Sequence, residues 1–453
     1  MNLQQAVLAG YLILPVLALA FCSVWASRAW AGRCGEGLCA LRMVLMLVLL
    51  RWTAEAPVGL SVPVVDVLGI DASFQISQER GLFLLVSELI WLFCHIAGFA
   101  RSGGLGSIRA LAIFLQMTVS VVVLSGNLFV MATALLLSVT ANFFLLRFVG
   151  EEERVEGGSG LAASAFLLQA IVCAALLGWA LGQLGFAGAD ITRSAFRAFE
   201  TDGNPFVWAS LALLFLWLPV WPWSRWYSRL LEVFPEPVSL AATVLICAGA
   251  FRLVEIGSIV YPRAQPGHYR ALYFFGYGAA LLLFSGFFSR ATKRSMLAEM
   301  PKIMLAMIPL MVGVSSGRDL VTPLVISVFA PAFTMVALVA SVVEKGTQIN
   351  RMFVFLFLYL VYGMPGSPVF LLFGYLGSQS VANGAPWIVA FGLLWFLYFF
   401  SAVHLARRMF VDERVAAVGG MPFLPGSSPL VVGFAAVMGV VASVVVWMFG
   451  VGI

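Results

Sequence analysis

Glu88 and His95 lie seven residues apart in an otherwise apolar stretch. On a helix that spacing puts them on one face, about 10 Å apart. A carboxylate and an imidazole so placed are able to relay a proton. The competing expectation is that Glu88 meets the cation of a neighbouring chain or reaches water, while His95, near a helix end, bonds to backbone. Arg252 and Glu255 are three residues apart, the spacing of a same-face ion pair, and read as a structural pair that lowers the cost of burying either charge. His404 precedes Arg407 and Arg408 and reads as an interfacial anchor. Trp217, Trp221, Trp223 and Trp226 cluster as an aromatic belt would; a lipid or quinone-tail site is the alternative.

Other chemistry is missing. No Ser-His-Asp set, phosphate loop or metal-ligand spacing occurs, so no catalytic residue, cofactor or metal is assigned. Activity of the chain alone is not expected; a non-catalytic place in a proton-translocating oxidoreductase is the furthest enzymatic reading. The six cysteines, Cys22, Cys34, Cys39, Cys94, Cys173 and Cys247, fall mostly in apolar runs, where a thiol behaves as a small hydrophobe. Cys34 and Cys39 share a loop, but neither a second Cys pair nor a His accompanies them.

The elements that must hold these side chains are membrane spans. Of 453 residues 62% are hydrophobic and 10% charged, too few charges to cover a water-facing surface. Apolar runs of about 18–25 residues recur, each long enough to cross a bilayer core. About 14 spans are predicted: 5–27, 38–52, 82–100, 108–125, 127–147, 161–183, 205–222, 237–259, 270–289, 301–317, 320–343, 352–376, 386–406 and 429–450. The net charge of +5 comes from basic residues in short loops, which orient spans and do not bind nucleic acid. Arg147, Arg225, Arg290, Lys293 and Arg408 are among the many on one side, read as cytoplasmic; Arg80, Arg263 and Arg318 are among the few on the other. A multi-pass protein of a bacterial-type inner membrane with periplasmic termini is expected. Pro331, and Gly363, Pro365 and Gly366, fall within spans and predict two broken helices.

Several motifs carry a family resemblance. Gly69-Ile70-Asp71, Gln78-Glu79-Arg80-Gly81-Leu82 and Leu124-Ser125-Gly126-Asn127-Leu128 come first. Leu218-Pro219-Val220-Trp221-Pro222-Trp223-Ser224-Arg225-Trp226 and Phe234-Pro235-Glu236-Pro237-Val238-Ser239 follow, then Lys293-Arg294 and Gly363-Met364-Pro365-Gly366-Ser367. In this order they resemble the antiporter-like membrane subunits of respiratory complex I and of multi-subunit cation/proton antiporters. The resemblance spans nearly the whole chain. It implies an all-α antiporter-like fold in one transmembrane domain, with N-terminal helices over 1–107, five-helix repeats over 108–259 and 270–406, and a final helix at 429–450. It also implies partners: other membrane-arm subunits of the same complex, and lipids.

That family carries protons on buried ionisable residues, and here the matching positions are uncharged. The fifth-helix Glu falls on Leu135, the seventh-helix Lys on Trp217, and the eighth-helix Lys or His between Thr243 and Ala248. The eleventh-helix His falls on Ala330 and the twelfth-helix Lys or Glu on Phe373. Only three lysines occur, Lys293, Lys302 and Lys345, all expected in cytoplasmic loops or at helix ends. A proton crossing hydrocarbon needs titratable stations, so a degenerate, structural or coupling member is expected. The alternatives are a proton-coupled partner of an inorganic-carbon or ion uptake complex, and a stand-alone transporter rewired through Glu88, His95, Arg252 and Glu255.

Overall fold

The computed structural model of the chain describes residues 2–24, 34–53, 56–65, 70–96, 106–152, 157–183, 208–209, 211–220, 224–260, 266–290, 292–315, 328–341 and 367–416. Among these, seven helices are long and apolar enough to cross a membrane. The chain divides into two compact units, residues 1–217 with 234–263, and residues 218–233 with 264–453.

The first unit holds α1 (Leu3–Val24), α2 (Cys34–Thr53), α3 (Gln78–Cys94), α4 (Gly106–Leu124), α5 (Leu128–Glu152), α6 (Gly158–Gln183) and, after a helix of the second unit, α7 (Arg225–Val233), α8 (Glu236–Val260). Local chemistry sets the ends. Ser77 Oγ accepts from Arg80 N at 3.4 Å to cap α3. Asn127 Oδ1 accepts from Phe129 N at 2.8 Å to start α5, as short polar side chains do at helix N-termini. Gly157 takes φ 74° ahead of α6, a left-handed conformation that glycine adopts without steric cost. Residues 237–257 of α8 are buried except for the half-buried Glu255, and Phe251 stacks on Phe83 of α3 at 5.0 Å.

Between α2 and α3 lies an antiparallel hairpin of β1 (Val58–Val65) and β2 (Ile70–Ile76). The ladder shifts register between Pro63 and Val65, where proline supplies no donor. The hairpin is tied to the α4–α5 turn: Gly126 N donates to Ser73 O at 2.7 Å. A Cβ on Gly126 would stand 2.8 Å from Ser73 Oγ, so glycine is what permits this approach.

The second unit holds α7 (Arg225–Val233), α9 (Pro266–Ser289), α10 (Lys293–Ser315), α11 (Ala330–Ser341), α12 (Pro368–Asn383) and α13 (Ala385–Ala416). Its enclosed helix is α10, buried throughout 296–314. Gly276 of α9 lets α10 come close, since a Cβ there would meet Leu310 N at 2.9 Å. The tenth span, predicted to begin at 301, begins at Lys293 after a Thr292 cap whose Oγ1 accepts from Ser295 N at 3.2 Å. Pro301 and Pro309 lie inside this helix; enclosure by protein is the condition under which such prolines are tolerated in membrane spans.

Pro331 occupies the first turn of α11, where its missing N–H leaves no intrahelical bond unmade. Gly363, Pro365 and Gly366 lie outside the described residues, as do Trp221, Trp223 and the span predicted at 429–450. Helix α12 starts at Pro368, capped by Ser367 Oγ, which accepts from Phe370 N at 3.1 Å.

Candidate functional site

Glu88 of α3 sits at a point where four helices each contribute a polar group. Tyr11 of α1 donates to Glu88 Oε1 at 2.7 Å, and Gln116 of α4 donates through Nε2 to Oε2 at 2.6 Å. Arg42 of α2 pairs with Oε1 at 3.1 Å. The guanidinium also donates to Ser120 Oγ of α4 at 2.6 Å and lies 4.2 Å from the centre of the Tyr11 ring. All of these side chains are buried. The cation that balances Glu88 therefore comes from this chain, and not from a neighbouring one. Arg42 escaped notice as a single charge at the edge of an apolar run; its position inside a span was the available signal. His95 is the C-cap of α3 and is buried, and the Gln116 amide approaches its ring as well as Glu88. The two residues singled out for a relay thus share one amide neighbour.

Arg252 and Glu255 pair on α8. Arg80, expected in an external loop, joins them: its Nη2 and Nε reach Glu255 Oε1 at 2.7 and 2.8 Å. Both guanidinia then turn to the backbone. Arg252 Nη2 donates to Ser125 O at 2.6 Å, while Arg80 Nη1 donates to Gln75 O at 2.8 Å and Leu124 O at 3.4 Å. Leu124 and Ser125 end α4, where carbonyls lack intrahelical partners and carry the negative end of the helix dipole. The three charges fasten β2 and the α4–α5 turn to α8.

The second unit has its own cluster. Lys302 was expected at a helix end, but it lies nine residues inside α10 and is 2% exposed. It pairs with Glu299 and donates to Ser228 Oγ of α7. The other oxygen of Glu299 accepts from Arg290 Nη2 at 2.7 Å and Nε at 3.1 Å.

The positions of the expected relay are filled otherwise. Leu135, Thr243, Ala248, Ala330 and Phe373 are all buried. Thr243 Oγ1 donates to Ser239 O in its own helix, and Phe373 packs at 5.0 Å on Tyr398. Trp217, placed in a belt by the sequence reading, is fully enclosed; its indole N–H donates to Ile246 O of α8 at 2.7 Å. The ring lies against Gly249, where any Cβ would overlap it. Of the other belt residues, Trp226 is likewise buried. His404 lies 5.9 Å from the Phe288 ring in an edge-on contact. No group of three metal-ligating side chains is found among the described residues.

No protein-family model and no curated protein sequence matches the chain. Solved structures do. A chain of the membrane-bound sulfane sulfur reductase, an archaeal respiratory membrane complex, superposes with a TM-score of 0.74 at 14% identity, covering 96% of this chain and 75% of the other. A chain of respiratory complex I from Thermus thermophilus gives 0.73 at 16% identity, with 97% and 98% covered. One from the Mrp complex of Dietzia sp. DQ12-45-1b gives 0.73 at 17% identity, with 99% and 95% covered. With these neighbours and its apolar helices, the chain is a multi-pass membrane protein with the antiporter-like fold of the membrane-arm subunits of such complexes.

Proposed function

We propose that the chain is a membrane-arm subunit of a complex-I-like or antiporter-like assembly that serves as a structural or coupling element, its own proton path closed. Trp217 carries this reading. At the position matching the family's seventh-helix lysine, an indole fills the space against Gly249 and ties itself to Ile246 O. An indole N–H does not titrate in water's range, so it offers no station for a proton. Leu135, Ala330 and Phe373, buried at the other matching positions, support the same conclusion. The same reading places five-helix repeats over 108–259 and 270–406, a division that the boundary of the compact units after Arg263 supports but that residues 218–233, which belong to the second unit, cross. The basic turn at Arg290 to Arg294 faces the cytoplasm in this reading, with periplasmic termini in a bacterial-type inner membrane, and lipid covers whatever neighbouring subunits do not.

Purification in mild detergent from the native membrane, with identification of co-purifying chains, tests the assignment. Stoichiometric antiporter-like partners are expected, and proteoliposomes of this subunit alone should show no proton flux above empty vesicles. Recovery of the chain by itself, with flux, defeats the proposal.

A second reading is a rewired path through Glu88 and His95, favoured by the Gln116 amide that both approach. It requires flux that disappears in Glu88→Gln.

A further inference from the structure

We infer that the seam between α9 and α13 binds one anionic phospholipid, its phosphate held by Arg290, His404 and Arg407 and an acyl chain laid along Phe288, Phe400 and Phe396. The role proposed above gives lipid no particular place, and this site holds its ligand whether or not the chain conducts protons.

Register comes first. Tyr273 of α9 meets Trp387 of α13 at 4.1 Å; further along α9, Phe288 meets Phe400 at 5.6 Å and His404 at 5.9 Å. The two helices therefore run parallel, and Arg290, just past the end of α9, comes level with His404. Arg407 follows His404 by three residues, about 4.5 Å further toward the same membrane face and on the same side of α13. The rings extend the other way. Phe396, Phe400 and His404 recur every four residues, Phe396 stacks on Phe400 at 6.1 Å, and Phe288 joins the row from α9.

One end of this row suits a phosphate. Arg290 donates to Glu299 through Nε and Nη2; its Nη1 has no hydrogen-bond partner among the described residues, and the side chain is 37% exposed. Arg407 is exposed and likewise without a partner among the described residues. His404 is half-buried, and an imidazole offers an N–H donor in either protonation state. Guanidinia are the side chains best matched to a phosphate. Positive charge is in excess here. Glu299 is shared between Arg290 and Lys302. On α7, which meets α10 through Ser228, Arg225 and Arg229 outnumber Glu232. Helix α9 has no acidic residue, and α13 has none before Asp412, more than a turn past Arg407.

The other end suits hydrocarbon. Phe400 and Phe396 are 50% and 61% exposed, and rings so uncovered on one face call for an apolar neighbour. From Phe396 to Arg407 the helix rises about 16 Å, close to the half-thickness of a bilayer core of about 30 Å. An occupant with an anion at one end of that span and hydrocarbon along the rest is a phospholipid. A soluble phosphate would use the arginines alone, and a protein neighbour would have to bring its own acid to the interface.

Native mass spectrometry of the full chain in mild detergent tests the site. Phosphatidylglycerol should be retained at one molecule per chain, and phosphatidylcholine with the same acyl chains much less. Arg407→Gln should lower phosphatidylglycerol retention about fivefold, while Arg407→Lys should keep most of it. Arg270→Gln, which removes the same charge from the other end of α9, should change nothing. Excess glycerol 3-phosphate, which lacks the acyl chain, should not displace the lipid. Phosphatidylglycerol with a diazirine on its acyl chain should cross-link to Phe288, Phe396 or Phe400 in the unsubstituted chain and in the complex from native membranes, a readout that needs no variant. Equal retention of phosphatidylcholine, indifference to Arg407→Gln, an equal response to Arg270→Gln, or displacement by glycerol 3-phosphate overturns the site. So do adducts confined to other helices, or adducts lost in the native complex because a protein covers the seam.

Discussion

A buried charge is judged by what remains when its partner is removed. Glu88 has Arg42, Tyr11 and Gln116 around it, and Arg42→Met would strand its carboxylate in an enclosed site. The expected loss is about 3–5 kcal/mol, the range for breaking one side of a buried pair. Arg42→Met combined with Glu88→Leu should recover most of that, because two apolar side chains of similar size leave no orphan charge. Denaturant titration of the detergent-solubilised protein reads both; losses that simply add would show that the two residues do not interact. Arg42 was not legible in the sequence as a partner of Glu88. Forty-six positions separate them along the chain, and only the packing of α2 against α3 brings them together. The Arg252–Glu255 pair was legible because three residues on one helix fix the distance by themselves. Its third member, Arg80, was not, since that contact depends on where β2 delivers the chain.

Close approach decides the packing of whole elements. The stretch 211–217 ends at Trp217, whose indole occupies the space that Gly249 leaves on α8. Gly249→Ala should cost about 1–3 kcal/mol, as overpacked cores do. Trp217→Leu in the same chain should relieve it, which a two-variant thermal unfolding cycle measures. The hairpin offers a second case. Arg80 ties the hairpin, through Gln75 O, to Glu255 and adds to its direct bond with the α4–α5 turn, so Arg80→Ala should speed amide exchange in β1 and β2 about tenfold while α3 and α4 keep their protection. Exchange that accelerates equally everywhere would mean global destabilisation instead. Helices were legible from apolar runs of bilayer length. The hairpin was not: Gly59 and Pro63 interrupt β1, and both residues ordinarily argue against a strand. The start of α10 was misplaced because Pro301 has the look of a first helical residue. Enclosure of the helix by its neighbours overrode that local preference, and a lysine expected at an end came to lie inside.

At the scale of the molecule, its solvent has to be argued from the side chains left uncovered. Helix α13 presents Val389, Trp395, Phe396 and Phe399, each more than half exposed. Such residues on a single helix face mark contact with lipid or with another membrane protein. The two are separable, because Trp395 reports on its own surroundings. In proteoliposomes made with acyl chains brominated near the bilayer centre, the isolated subunit should lose fluorescence from Trp395. Trp395→Phe should therefore remove part of the quenchable signal, while Trp217→Phe, at an enclosed indole, should remove none. Repeating the comparison on the complex purified from native membranes asks whether a neighbour covers α13. If Trp395 is then protected, α13 forms part of the contact between subunits. If it is quenched as before, lipid is its solvent in the assembly too, and the docking surface lies on another face. Equal quenching of Trp217 and Trp395 in the isolated subunit would contradict the enclosure of Trp217, and with it the observation on which the closed proton path depends.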